Sequence, residues 1–260
     1  MALRSLKTRF SLPPGAPRTS TIRELAQRFF LEGRWFQPVR YGGFNMAERL
    51  EPGPFNPDVL ADYYEEFKNF TIGAKTDRDF LQLTAVRNSR YPYAAGALTW
   101  VTSIVEAKKP GWRDAHLRQV VELMHLLGSP LAQSGPDEDF ERKNWRTVPS
   151  EDGVGSRRVF NVRDYSEGLE GLFWRNIFGA PFVKLFGSRL DAIPAGQRQA
   201  LDGGLVLVQP YELPTQAMTP EGDAAEARLI TTLGPESFFD LPTLTRPTRV
   251  PDLSLLSPAS

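Results

Sequence analysis

Residues 80–87 read FLQLTAVR and residues 97–105 read ALTWVTSIV. In the first stretch Leu81, Leu83 and Ala85 alternate with Gln82, Thr84 and Val86, the period-2 pattern of a strand. The second is rich in β-branched and aromatic residues, which suit a pleated, half-buried surface. Only NSRYPYAAG separates them, so an antiparallel pair is expected. DAHLRQVVELMHLLG (114–128) follows with a different period. Leu117, Val120, Val121, Met124 and Leu127 form a helical stripe that Asp114 can cap and Gly128 can end.

Toward the N-terminus, TIRELAQRFF predicts a helix over 22–30, with Thr21 and Glu24 at capping-box spacing. WFQPVRYGGF reads as extended, because Pro38 keeps Gln37 out of helical geometry. In NPDVLADYYEEFKNF, Asn56 can cap and Pro57 sits where a missing N–H costs nothing. Val59, Tyr63, Phe67 and Phe70 fall to one side of that helix, with Asp62, Glu65 and Glu66 toward the other. Toward the C-terminus the pattern predicts a polar loop over 130–155 and a strand at RRVFNV. A short helix or turn is expected near 169–178, a helical piece near 181–186, a strand over 205–209 and a short helix near 223–229. Strands and helices alternate too irregularly for a doubly wound sheet. The expected architecture is α+β, a mixed and mostly antiparallel sheet with helices packed on one face. Residues 1–19 are expected as an extension, 20–240 as a single domain, and 241–260 as a mobile tail rich in Pro and Ser.

The chain has 260 residues, with 41% hydrophobic residues, 17 Phe and 5 Trp, enough to bury a substantial core. Lys plus Arg and Asp plus Glu number 31 each, so the net charge is zero. A protein that neutralises phosphates needs a basic excess, and direct nucleic-acid binding is not expected. The first fifty residues do carry nine basic side chains against three acidic ones. With no cysteine, disulfides, thiolate nucleophiles and Cys-ligated metals are excluded. No stretch approaches the ~20 apolar residues that span a bilayer, and MALRSLKTRFSLPPG makes a poor signal peptide. A soluble cytoplasmic protein with no membrane association is expected.

Motifs that carry chemistry are sparse. His116 and His125, nine residues apart, would lie on opposite sides of one helix, at about 100° per residue. His125 falls beside the apolar stripe and is expected to be partly buried. HExxH, GxSxG, GxGxxG and GxxxxGK[ST] are all missing. Carboxylates are plentiful: Glu65 with Glu66, the run Asp137–Glu138–Asp139 with Glu141, and Asp164 with Glu167 and Glu170. The last three would share a helix face and could hold a divalent cation or act as an acid/base pair, or simply favour a helix start. Asp137–Asp139 reads as an exposed acidic loop. The aromatic run Phe173, Trp174, Phe178, Phe182 and Phe186 reads as core in preference to a ligand pocket. Trp35, Phe36, Tyr41 and Phe44, mixed with Arg34 and Arg40, suit a protein-binding surface or a core strand equally.

The order KTDRDFLQLTAVR, ALTWVTSI, WRDAHLRQVVELMHLLG, LEGLFWRNIFGAPFVKLFG and LVLVQPYELP, over roughly residues 20–215, resembles bacterial immunity proteins of polymorphic-toxin systems, most nearly the immunity protein 52 type. That resemblance implies an α/β protein without catalysis or cofactor that occludes a cognate protein toxin, often a nuclease. An acidic face would then imitate phosphate in the toxin's basic cleft. The candidate contacts are Asp62, Glu65, Glu66, Asp137, Glu138, Asp139 and Glu141, with Trp35, Arg40 and Tyr41. The alternatives are a metal-dependent hydrolase built on Asp164, Glu167 and Glu170, and a non-enzymatic regulatory scaffold.

Overall fold

The computed structural model describes residues 4–76, 78–85, 96–150 and 154–256. The chain divides into two compact units, one containing Arg4–Ala132 and the other Gln133–Leu253.

In the first unit the order is β1 (Ser5–Ser11), α1 (Thr19–Ala26), β2 (Arg40–Gly42), β3 (Glu48–Arg49), α2 (Pro57–Phe67), β4 (Asn69–Gly73), β5 (Phe80–Ala85), β6 (Gly96–Ser103) and α3 (Pro110–Leu127). The strands lie in the order β1-β6-β5-β4-β2-β3, and every neighbouring pair is antiparallel. The expected FLQLTAVR–ALTWVTSIV pair is β5 with β6, although residues 86–95 of the connection lie outside the described residues.

The register sorts side chains into two faces. Thr8, Trp100, Leu81, Ile72 and Tyr41 form one cross-strand row, and Phe10, Leu98, Leu83 and Phe70 form the next. This is the buried face, and the helices cover it. Trp100 meets Phe29 at 5.0 Å and His116 at 4.8 Å between ring centroids, while Tyr64 of α2 meets Phe70 at 6.4 Å. An aromatic side chain buries ~200 Å², so each such ring contributes roughly 5 kcal/mol before entropy is subtracted. On the opposite face Lys7, Thr99 and Gln82 are half-buried and Thr84 and Asn69 are exposed. Helices on one face of an antiparallel sheet is thus what this unit shows.

Several local expectations shift. Residues 5–11, read as part of an extension, form β1 and pair along their whole length with β6. Helix α1 starts at Thr19, two residues before the supposed capping box, and continues through a π-helical turn over Gln27–Glu32. Helix α3 starts at Pro110, so Asp114 is not its cap; Gly128, at φ 61°, does end it. The buried positions of α3 are His116, Gln119, Val120, Leu123, Met124 and Leu127, one step round from the expected stripe. The histidines exchange roles: His125 is exposed, whereas His116 is fully buried, 2.9 Å from Thr8 Oγ1 and stacked on Trp112.

The second unit follows in the order β7 (Leu131–Pro136), α4 (Asp137–Asn144), β8 (Trp145–Pro149), β9 (Ser156–Phe160), β10 (Arg175–Phe178), α5 (Ala180–Phe186), β11 (Arg198–Ala200), β12 (Val206–Val208) and α6 (Pro220–Leu233). Its sheet runs β11-β12-β10-β7, and β8 and β9 form a separate antiparallel ribbon. The core reading of Phe173, Trp174, Phe178, Phe182 and Phe186 holds, for all five are buried. The polar loop expected over 130–155 is instead β7, α4 and β8, and the short helix or turn expected near 169–178 contains β10. β7 and β10 are covered on their two faces, so neither shows alternation. The segment from 241, expected to be mobile, is tied back as far as Asp252. The N–H groups of Thr248 and Arg249 donate to Glu236 O, at 2.9 and 3.0 Å, and Lys184 pairs with Asp252 at 2.9 Å.

Candidate functional site

Helix α2 carries three of the ten expected contact residues, Asp62, Glu65 and Glu66. Asn56 Oδ1 accepts the Asp58 N–H at 3.0 Å, Pro57 takes the first helical position, and Lys68 at φ 54° stops the helix. Leu60, Ala61 and Tyr64 face inward, and the Tyr64 hydroxyl donates to Pro17 O at 2.7 Å. The opposite side carries Asp62, Glu65 and Glu66, all exposed. Val59, Tyr63 and Phe67, expected on the buried side, do not face the core, and Phe67 is 47% exposed. Tyr63 and Phe67 lie one turn apart at 4.5 Å, and Tyr41 of β2 meets Tyr63 edge-on at 5.7 Å. The surface is therefore a short aromatic ladder flanked by carboxylates. Glu65 is held by Thr19 and by Lys68 (3.1 Å), and Asp58 by Arg23 (2.5 Å). Asp62 and Glu66 have no hydrogen-bond or ion-pair partner among the described residues.

Beside this ladder runs a groove of about 410 Å³ between residues 37–41 and 49–59. Its apolar lining includes Val39, Tyr41, Phe55 and Val59, with Arg49 and Glu51 among its charged residues. Sequence reading missed the groove. Its signal, the turn-forming EPGPF at 51–55, says that the chain bends there but not what it bends around.

Other expected contacts lie elsewhere. Arg40 alternates with Tyr41 along β2 and pairs across to Gly73 and Arg49, so it belongs to the opposite sheet face. Trp35 is half-buried and packs its ring onto the core: the centroid lies 4.6 Å from that of Trp100, and its Nε1 donates to Gln119 Oε1 at 2.8 Å.

Asp137, Glu138, Asp139 and Glu141 belong to the second unit and form no exposed loop. Asp137, Glu138 and Asp139 form the first turn of α4, where carboxylates favour the positive end of the helix dipole, and Glu141 follows in the next turn. Asp139 is fully buried and accepts from Arg142 (2.8 Å) and Lys143 (2.7 Å), so it cannot touch a partner. Lys143 Nζ also donates to Glu226 Oε2 at 2.7 Å and to Leu172 O, and Tyr211 donates to Glu226 Oε1 at 2.8 Å. Arg142 reaches on to Asp223 at 2.9 Å. Burial pushes the Glu226 carboxyl above its ordinary range, Lys143 pulls it back, and Asp139 adds to the rise. Burial likewise raises the Tyr211 hydroxyl, helped by Glu226. Asp137 and Glu138 are half-buried, while Glu141 is exposed and pairs with Arg158 at 2.5 Å.

Asp164, Glu167 and Glu170 share no helix face. Asp164 caps a single 3-10 turn, accepting the Ser166 N–H at 2.8 Å, and Glu167 takes the Arg163 N–H at 3.1 Å. Among the described residues no three histidine or carboxylate side chains converge where a metal ion could be held, and no helix is long and apolar enough to cross a membrane.

No family model and no curated protein matches the sequence. Among solved structures, the chain is similar to Pseudomonas aeruginosa T6SS protein PA0821, with a TM-score of 0.55 at 12% identity. The match covers 88% of this chain and 72% of that one. At that identity the likeness is one of fold.

Proposed function

We propose that this chain is a non-catalytic binding protein of a bacterial toxin system, which neutralises a cognate toxin by covering its active surface. The observation that carries the reading is the fold shared, over most of the chain, with a T6SS protein. The resemblance of the sequence to immunity proteins of polymorphic-toxin systems points the same way. Between residues 41 and 67 stand six carboxylates (Glu48, Glu51, Asp58, Asp62, Glu65 and Glu66) and one cation, Arg49; Arg23 and Lys68 pair with Asp58 and Glu65, which leaves Asp62 and Glu66 as the unpaired charges of the helix among the described residues. An acidic surface with aromatic anchors suits a toxin with a basic active cleft, such as a nuclease. Opposite fields speed the encounter, and buried rings supply most of the binding energy.

The test is protection in cells. A toxic polypeptide encoded beside this chain should arrest growth alone, and co-expression of this chain should restore growth and yield an isolable complex. The triple variant Asp62→Lys/Glu65→Lys/Glu66→Lys should bind at least about tenfold more weakly at low salt, since its charges then repel the partner. Persistent growth arrest with the chain in excess, and no complex on purification, would overturn the reading.

A further inference from the structure

The groove beside α2 supports a more specific statement. Val39, Tyr41, Phe55 and Val59 give it an apolar lining, and Tyr41 belongs at once to the groove and to the aromatic ladder of α2. Glu51, which also lines it, makes no hydrogen bond or ion pair among the described residues, and neither do the nearby helix carboxylates Asp62 and Glu66. At about 410 Å³ the space is of the order that accepts one or two large side chains. A groove of mixed polar and apolar lining, with an aromatic wall and an unpaired carboxylate, suits a long side chain that is apolar along its stem and cationic at its tip. Arginine has that form. Its guanidinium can lie against an aromatic face while its N–H groups reach a carboxylate, and it is over-represented among interface hot spots.

We propose that this groove is the anchor pocket of the α2 surface and takes an arginine side chain from a basic, extended segment of the protein partner. Tyr41 stacks on the guanidinium, Glu51 receives its N–H groups, and Asp62 and Glu66 attract the flanking positive charges. Arg49, the one basic residue in the lining, disfavours a segment with two adjacent cations in the groove and so sets the register. This rests on the toxin-binding reading for the partner's identity, but the pocket's chemistry can be tested without any toxin.

The probe is a blocked, fluorescently labelled peptide, Gly-Ser-Arg-Trp-Ser-Arg-Gly, titrated into the full chain at low salt and compared with the same peptide carrying Glu in place of each Arg. Saturable binding of the arginine peptide alone is expected. Glu51→Lys, in an exposed loop, should weaken it about tenfold or more, as should Val59→Trp, which fills the groove. Glu141→Lys, outside the groove, should leave it unchanged. Equal binding of both peptides, or binding indifferent to both Glu51→Lys and Val59→Trp in variants with the parent circular dichroism spectrum, would overturn the pocket. If the peptide binds as expected while the chain fails to protect cells, the pocket stands and the toxin reading falls. If cells are protected equally by the groove variants and the parent, the toxin reading stands and the pocket falls.

Discussion

Lys143 joins two buried carboxylates of the second unit, and its removal tests the packing directly. Its ammonium donates to Asp139, which is fully buried, to Glu226, which is nearly so, and to the Leu172 carbonyl. Lys143→Met keeps the length and apolar stem of the side chain but strands two carboxylates. Asp139 retains Arg142 and Glu226 retains the Tyr211 hydroxyl, so neither is wholly abandoned. Breaking one partner out of a buried ion pair costs about 3–5 kcal/mol, and the residual partners place this case toward the lower end. Urea unfolding at pH 7 followed by circular dichroism should therefore show a loss of about 3 kcal/mol, with little change in the slope of free energy against urea. The sign of the pH dependence is fixed. Glu226 already titrates above its unfolded value, and Lys143 is what holds it down. In Lys143→Met the carboxyl rises further, so the folded state takes up a proton more readily than the unfolded chain. Stability is then present at low pH and lost as pH rises through the raised folded value. The deficit should shrink between pH 7 and pH 5, and adding Glu226→Gln should remove much of it at pH 7. A loss below ~1 kcal/mol, or one that deepens on acidification, would refute the account of Lys143 as the counter-ion of two buried carboxylates.

Trp35→Ala should cost about 3 kcal/mol by urea unfolding, the low end for a large aromatic because the ring is half-buried, since it removes packing against Trp100, Trp112 and His116 and the donor to Gln119. Asp139→Asn should lower stability without altering partner affinity, measured by calorimetry, whereas Asp62→Lys should do the reverse. Glu236 is held below the usual carboxylate range, chiefly by the hydrogen bond from Arg189, so its stabilising effect is present above that range and lost as pH falls through its lowered value. Glu236→Gln should therefore speed limited proteolysis after residue 245 at neutral pH, read by mass spectrometry, and acidification should bring the parent closer to the variant.

Where elements carried their own local signals, the sequence was legible. Asn56-Pro57 starts α2, the β-branched run that begins at residue 97 makes β6 as far as Ser103, and Gly128 closes α3, because caps, turns and alternation act over a few residues. The acidic side of α2 was legible for the same reason. What escaped were elements whose identity depends on partners far along the chain. LAQSGP of β7 shows no alternation, since all six residues are buried, and RNIF of β10 likewise. The groove joins residues 37–41 to 49–59, and no periodicity announces a space between two bends. DEDFERKN shows the limit most clearly. As a string it reads as a solvated acidic run, and that holds for Glu141. Asp139 and Lys143, in contrast, are drawn inside by Leu172, Tyr211 and Glu226, dozens of residues downstream. The sequence alone determined where charge and apolar surface alternate, because that is a property of neighbours. Which charges meet water and which meet each other was decided only by the tertiary structure, because a carboxylate's surroundings are set by what folds against it.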